Sequence, residues 1–139
     1  MVHEKRIEIR WHDVDAYQHV NNAVYATYLE ECRDEWMSQA LDGVSEMWDW
    51  VLARVAIDFR RELTQEDDVA VVRCHLERIG TSSITLAEEI LMSDGTLAAR
   101  AESVLVARDQ ETRRSRPMTE VERRALERVL GEPESPQAA

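Results

Sequence analysis

The sequence predicts an α+β domain in which a five-stranded antiparallel sheet wraps one long helix. Two observations carry that reading. Apolar residues alternate with period two at the start of the chain, switch to helical spacing between Asn22 and Leu41, and return to period two through Ala107. The Asn22–Leu41 segment is also the one long amphipathic helix in the pattern. A sheet with one apolar face therefore has a single large element to cover it.

Each element follows from its own residues. From Lys5 to Trp11, Ile7, Ile9 and Trp11 fall on one face and Arg6, Glu8 and Arg10 on the other, as in a half-buried strand. In the helix, Val24, Tyr25, Tyr28, Leu29, Cys32, Trp36, Met37 and Ala40 recur at i, i+3, i+4 spacing. Glu30, Glu31, Arg33, Asp34 and Glu35 take the opposite face. Asn21 or Asn22 suits the N-cap, and Asp42-Gly43 suits a stop that tolerates a left-handed backbone. Val51 to Phe59 and Val69 to Ile79 alternate as strands, Gly80 to Ser83 reads as a turn, and Asp94-Gly95 joins two further strands in a hairpin. Near the end, Thr119 and Glu122 form a capping box for a short helix whose stripe is Val121, Ala125, Val129 and Leu130.

With 139 residues the chain suits one domain, expected over 1–130, with a frayed tail over 131–139. A net charge of −11 argues against nucleic acid and anionic membrane surfaces as partners. No apolar run approaches the ~20 residues of a membrane span, and the first residues lack the apolar stretch of a signal peptide. The expected setting is therefore cytoplasmic. Cys32 and Cys74 are too few for a disulfide framework and read as buried thiols. Of the 17 basic residues 16 are arginine, so planar phosphate contacts are available if arginines cluster.

The chemistry is concentrated in Trp11-His12-Asp13-Val14-Asp15-Ala16-Tyr17-Gln18-His19-Val20-Asn21-Asn22. This stretch sets carboxylates, imidazoles and amides just ahead of a helix N-terminus, where free N–H groups favour negative charge. A carboxylate beside an oxyanion site suits hydrolysis of an activated acyl group. Asp15 is the candidate nucleophile or general base, and the two roles are not separable from sequence. Asp13 suits a structural role, bonding loop N–H groups or an arginine. His19 could order the loop, donate to Asp15 or meet the acyl group. Tyr25 reads as either core or acyl-pocket lining, with Tyr28 near the same expected acyl chain, and His3, His12 and His75 read as surface or strand-face residues. For phosphates, Arg60, Arg61 and Arg78 stand at strand ends. A metal site built from His12, Asp13, Asp15 and His19 lacks helical ligand spacing and is disfavoured.

The motif Asp-x-Asp-x-x-x-His-Val-Asn-Asn, set between a strand and a long helix followed by four strands, resembles the hot-dog fold. More closely it resembles the acyl-CoA thioesterase branch of the 4-hydroxybenzoyl-coenzyme-A thioesterase family, over roughly Lys5 to Arg108. The resemblance implies an acyl-CoA thioesterase with Asp15 as the catalytic carboxylate and the Asn22 backbone amide polarising the thioester carbonyl. It also implies a homodimer or homotetramer with the active site between subunits. His19 would complete the catalytic group, and Tyr17, Gln18, Tyr25, Arg60, Arg61 and Arg78 would contact substrate. Gln18 stands where the family often carries glycine. Neither a metal nor a cofactor is implied. A non-catalytic acyl-CoA-binding module on the same fold is the alternative.

Overall fold

The computed structural model describes residues 1–131. Its strands are β1 (Val2–Glu8), β2 (Trp50–Phe59), β3 (Val69–Ile79), β4 (Ser83–Met92) and β5 (Leu97–Ala107); its helices are α1 (Asn22–Ala40) and α2 (Glu120–Leu130). The strands form one antiparallel sheet in the order β1-β3-β4-β5-β2. The chain thus leaves α1 and enters the sheet at its far edge, with β2 beside β5 rather than β3. Apart from Gly131, the tail expected over 131–139 lies outside the described residues.

Helix α1 packs chiefly on β3, β1 and β4. Tyr28, Leu29, Cys32 and Trp36 are fully buried against Val72, Cys74, Leu86 and Ile90 in one continuous core. Truncating a side chain as large as Trp36 to alanine in such a core costs about 3–5 kcal/mol. The two thiols are free. Cys32 Sγ donates to the Val72 carbonyl at 3.5 Å, and Cys74 Sγ to the Cys32 carbonyl at 3.9 Å. Hydrogen bonding with Cys32, together with burial, pushes the Cys74 thiol well above its ordinary range.

Several expectations are corrected. Strand β1 starts and ends earlier than Lys5–Trp11, and Trp11 opens a tight turn with 79% of its surface exposed. The chain turns away there because Asp13 must reach the Arg10 backbone N–H. Arg33, expected on the outer helix face, is buried, because Glu88 and Ser103 of the sheet receive it. In α2 the buried stripe is Glu122, Ala125, Leu126 and Val129, while Val121 and Leu130 are exposed. The capping box at Thr119 forms as the sequence predicts. Arg116 then pairs with Glu122 at 2.7 Å, which lets that carboxylate be buried.

Strand β2 is the unusual element. Val51, Leu52, Val55 and Phe59 are all exposed on this edge strand. Opposite partners are Val55 and Ser103, Ile57 and Ala101, and Phe59 and Ala99, so the β2 side chains at 55, 57 and 59 lie on the helix-facing side of the sheet. Helix α1 meets Phe59 through Tyr25 yet leaves both Val55 and Phe59 exposed. Among the described residues no helix is long and apolar enough to cross a membrane.

Candidate active site

The loop between β1 and α1 is anchored from below by Asp13. Its carboxylate accepts from the Tyr28 hydroxyl at 2.7 Å, the Arg10 backbone N–H at 3.0 Å and the Arg10 guanidinium. Burial alone would push this carboxyl up, but those donors more than offset it and hold Asp13 below the usual carboxylate range. Burial and the Asp13 carboxylate push the Tyr28 hydroxyl up. The Asp13 carbonyl in turn accepts the Asn21 N–H at 2.9 Å, fixing where the helix begins. Asp13 is structural, as its sequence context suggests. Tyr28 is fully buried beneath the loop and does not line the site.

Above that anchor the chain makes a small hairpin. Asp15 N–H donates to the His19 carbonyl, and Gln18 N–H to the Asp15 carbonyl, each at 3.0 Å. Gln18 closes the turn at φ +67°, a left-handed backbone that glycine adopts most readily. The Asp15 carboxylate is steered from both sides, by the Tyr17 N–H at 2.9 Å and the Asn21 amide at 3.2 Å. The Asn21 side-chain oxygen caps Ala23 N–H at 2.9 Å, and its carbonyl takes Val24 N–H. The N–H of Asn22 is left without a partner among the described residues. It stands at the positive end of a 19-residue helix.

The other wall comes from the segment after β2. Arg60 and Arg61 N–H groups both donate to the Ala98 carbonyl, so the chain turns sharply and both side chains point outward. Neither guanidinium forms an ion pair among the described residues. Buried Tyr25 ties this segment to the helix. Its hydroxyl accepts Leu63 N–H at 3.0 Å and donates to the Arg61 carbonyl, while its ring meets Phe59 edge-on at 5.0 Å.

Between these walls lies a cavity of about 490 Å³ lined by Asp15, Tyr17, His19, Asn22, Tyr25, Phe59, Arg60 and Arg61, with Val20, Asn21 and Glu62. Seven of the nine sequence-predicted site residues therefore meet in one place. Gln18 lines an adjoining hollow of about 780 Å³ that shares Asp15, Tyr17 and His19 and extends to Trp11 and Gln65. Arg78 does not join them. It lies near the other end of β3, beside Thr85, because antiparallel strands carry consecutive ends to opposite sides of the sheet.

Of the three roles open to His19, a hydrogen bond to Asp15 is not the one the structure makes. Its ring nitrogen pairs with Glu62 at 3.0 Å rather than with Asp15. Sequence reasoning had no signal for Glu62 or Phe59, which reach the site only because β2 runs to that end. The residues of the disfavoured metal set have other placements: His12 is exposed, Asp13 is buried under Tyr28 and His19 is turned to Glu62.

Comparison with known proteins fits this geometry. The profile of the thioesterase-like superfamily matches residues 9–126, which include the whole loop, α1 and the sheet from β2 to β5. The chain belongs to that superfamily. This thioesterase-like protein is 28% identical over 138 residues to the long-chain acyl-CoA thioesterase FadM of Escherichia coli (strain K12), covering 91% of this chain and 98% of FadM. A thioesterase from Thermus thermophilus, complexed with coenzyme A and zinc, superposes with a TM-score of 0.83 at 27% identity, covering 94% and 96% of the two chains. A structure described as a predicted thioesterase from Bacillus stearothermophilus reaches 0.84 at 25% identity, covering 96% and 100%. The hot-dog architecture and the thioester-hydrolase class implied by the motif are thus met at the level of the family.

Proposed function

We propose that this protein hydrolyses acyl-coenzyme-A thioesters, R–CO–S–CoA and water giving R–COOH and HS–CoA. The observation that carries the reading is the meeting of Asp15, the unpartnered Asn22 N–H and two unpaired arginines in one cavity. The thioester oxygen accepts from Asn22 N–H, where negative charge develops as the carbonyl carbon becomes tetrahedral. Asp15 either attacks that carbon, forming an anhydride that water then opens, or takes the proton of an attacking water. In both routes the C–S bond breaks and the sulfur leaves as thiolate, a good leaving group that needs no strong acid.

The remaining residues position substrate. The Tyr17 N–H and the Asn21 amide aim the Asp15 carboxylate, and His19 and Gln18 shape the loop around the thioester. Tyr25 and Phe59 line the acyl side. Arg60 and Arg61 suit the phosphates of coenzyme A, which guanidinium groups grip bidentately. The working assembly is at least a homodimer joined along β2, since an edge strand with four exposed large apolar residues invites pairing. A monomer by light scattering at micromolar concentration would count against a shared site. The cytoplasmic setting belongs to the same proposal and goes with two free, buried thiols.

The test is thiol release from a panel of acyl-CoAs by wild type and Asp15→Asn. The variant keeps the wild-type melting temperature and loses at least ~100-fold in turnover. A folded Asp15→Asn protein with near-wild-type turnover sinks the mechanism. Binding of acyl-CoA without thiol release from wild type would favour a binding module instead.

A further inference from the structure

A charged cluster lies buried between α1 and the middle of the sheet, and the proposed chemistry does not use it. Arg33 Nε donates to Glu88 at 3.0 Å, and its Nη2 donates to Glu88 at 3.2 Å and to Ser103 at 2.9 Å. Ser103 also donates to Glu88. All three are at most 3% exposed. On the sheet side, the way from the candidate site to this cluster is apolar. Tyr25 and Phe59 line the cavity, and the seam continues past Ile57 to Val55 over the small side chains of Ala99 and Ala101. Along the helix, Ala26 and Leu29 follow Tyr25 before Arg33 is reached. Beyond it lies a separate hollow of about 230 Å³ that Arg33 borders with Met37, Trp50 and Leu52 and with the carboxylates Glu30 and Asp34.

We infer that the Arg33–Glu88–Ser103 cluster is the floor of the acyl site and sets an upper limit on the length of acyl chain this protein takes. The inference rests on the thioesterase reading. An alkyl chain gains from each methylene it buries against apolar surface. That gain stops at an ion pair whose hydrogen bonds are already satisfied, and going further means stranding a buried charge. Asn22, whose N–H takes the thioester oxygen, and Arg33 are eleven residues apart, or roughly 16 Å along the helix. At about 1.2 Å per bond, the value an extended backbone implies, that is room for roughly fourteen carbons.

The test measures kcat/KM from butyryl- to stearoyl-CoA. Wild type is expected to peak near myristoyl-CoA and to fall at least ~tenfold by stearoyl-CoA. Arg33→Met/Glu88→Met removes both charges together, so neither is left unpaired, and is expected to move the peak to stearoyl-CoA. Ile57→Phe fills the near part of the seam and moves the peak below myristoyl-CoA. Wild type as active on stearoyl- as on myristoyl-CoA overturns the inference. So does a folded double variant with the wild-type profile or, where that variant does not fold, an unshifted peak in Ile57→Phe. Thiol release at no chain length would instead overturn the thioesterase reading and the inference with it.

Discussion

Tyr28→Phe deletes a single oxygen atom, and the structure fixes what that deletion costs. The hydroxyl donates at 2.7 Å to a carboxylate that is only 3% exposed, so water cannot replace it. A hydrogen bond to a charged group is worth about 1.5–3 kcal/mol, which for a chain of this size lowers the melting temperature by roughly 5–10 °C. Asp13 keeps its Arg10 contacts in the variant, so the protein still folds. The loss depends on pH in a defined direction. Asp13 is held below the usual carboxylate range, so its stabilisation is complete above the unfolded value near pH 4 and is lost as pH falls through the folded value. The stability gap between wild type and Tyr28→Phe is therefore widest at pH 7 and narrows below about pH 4, as pH falls through the lowered folded value. Urea unfolding at several pH values measures it. A gap below about 0.5 kcal/mol at pH 7, or one that does not narrow as the pH falls below about 4, would refute the argument that Tyr28 stabilises the ionised Asp13.

Two further outcomes follow from the same kind of reasoning. Burial pushes Glu122 up, but Arg116, the Thr119 N–H and the Ser45 hydroxyl more than offset it and bring its pKa to about 2. Glu122→Gln should melt below wild type at pH 7, and thermal scans should show the difference shrinking below about pH 4.5 and gone near pH 2. Gln18 has a left-handed backbone, which costs a non-glycine residue about 1–2 kcal/mol. Gln18→Gly should therefore match or exceed wild type in melting temperature, while Gln18→Val should melt lower.

The parts of the molecule governed by local pattern were readable in the sequence. Periodicity located α1 and the four strands after it, and the polar stretch before α1 singled out Asp15, Asn21 and Asn22, which the fold brings to one cavity. What escaped were facts set by tertiary pairing. Arg33 carries the same outward signal as Glu30 and Asp34, and only Glu88 and Ser103 across the sheet turn it inward. Arg78 and Arg60 both stand near strand ends, but which end of the sheet each occupies depends on strand order. Trp11 continues the alternation of Ile7 and Ile9, yet the turn built on Asp13 lifts it into solvent. Glu62 had no motif to mark it and meets His19 only because the chain doubles back after β2.

The two sealed sulfhydryls bear on every assay in which a chromogenic disulfide reports released coenzyme A. Only the thiolate reacts with such a reagent, and Cys32 and Cys74 are fully enclosed in the core with the Cys74 proton held tightly. The intact enzyme contributes no background colour, so a trace recorded without substrate doubles as a folding check. A variant that develops two equivalents of colour per chain on its own has opened its core, and its lost turnover then says nothing about catalysis.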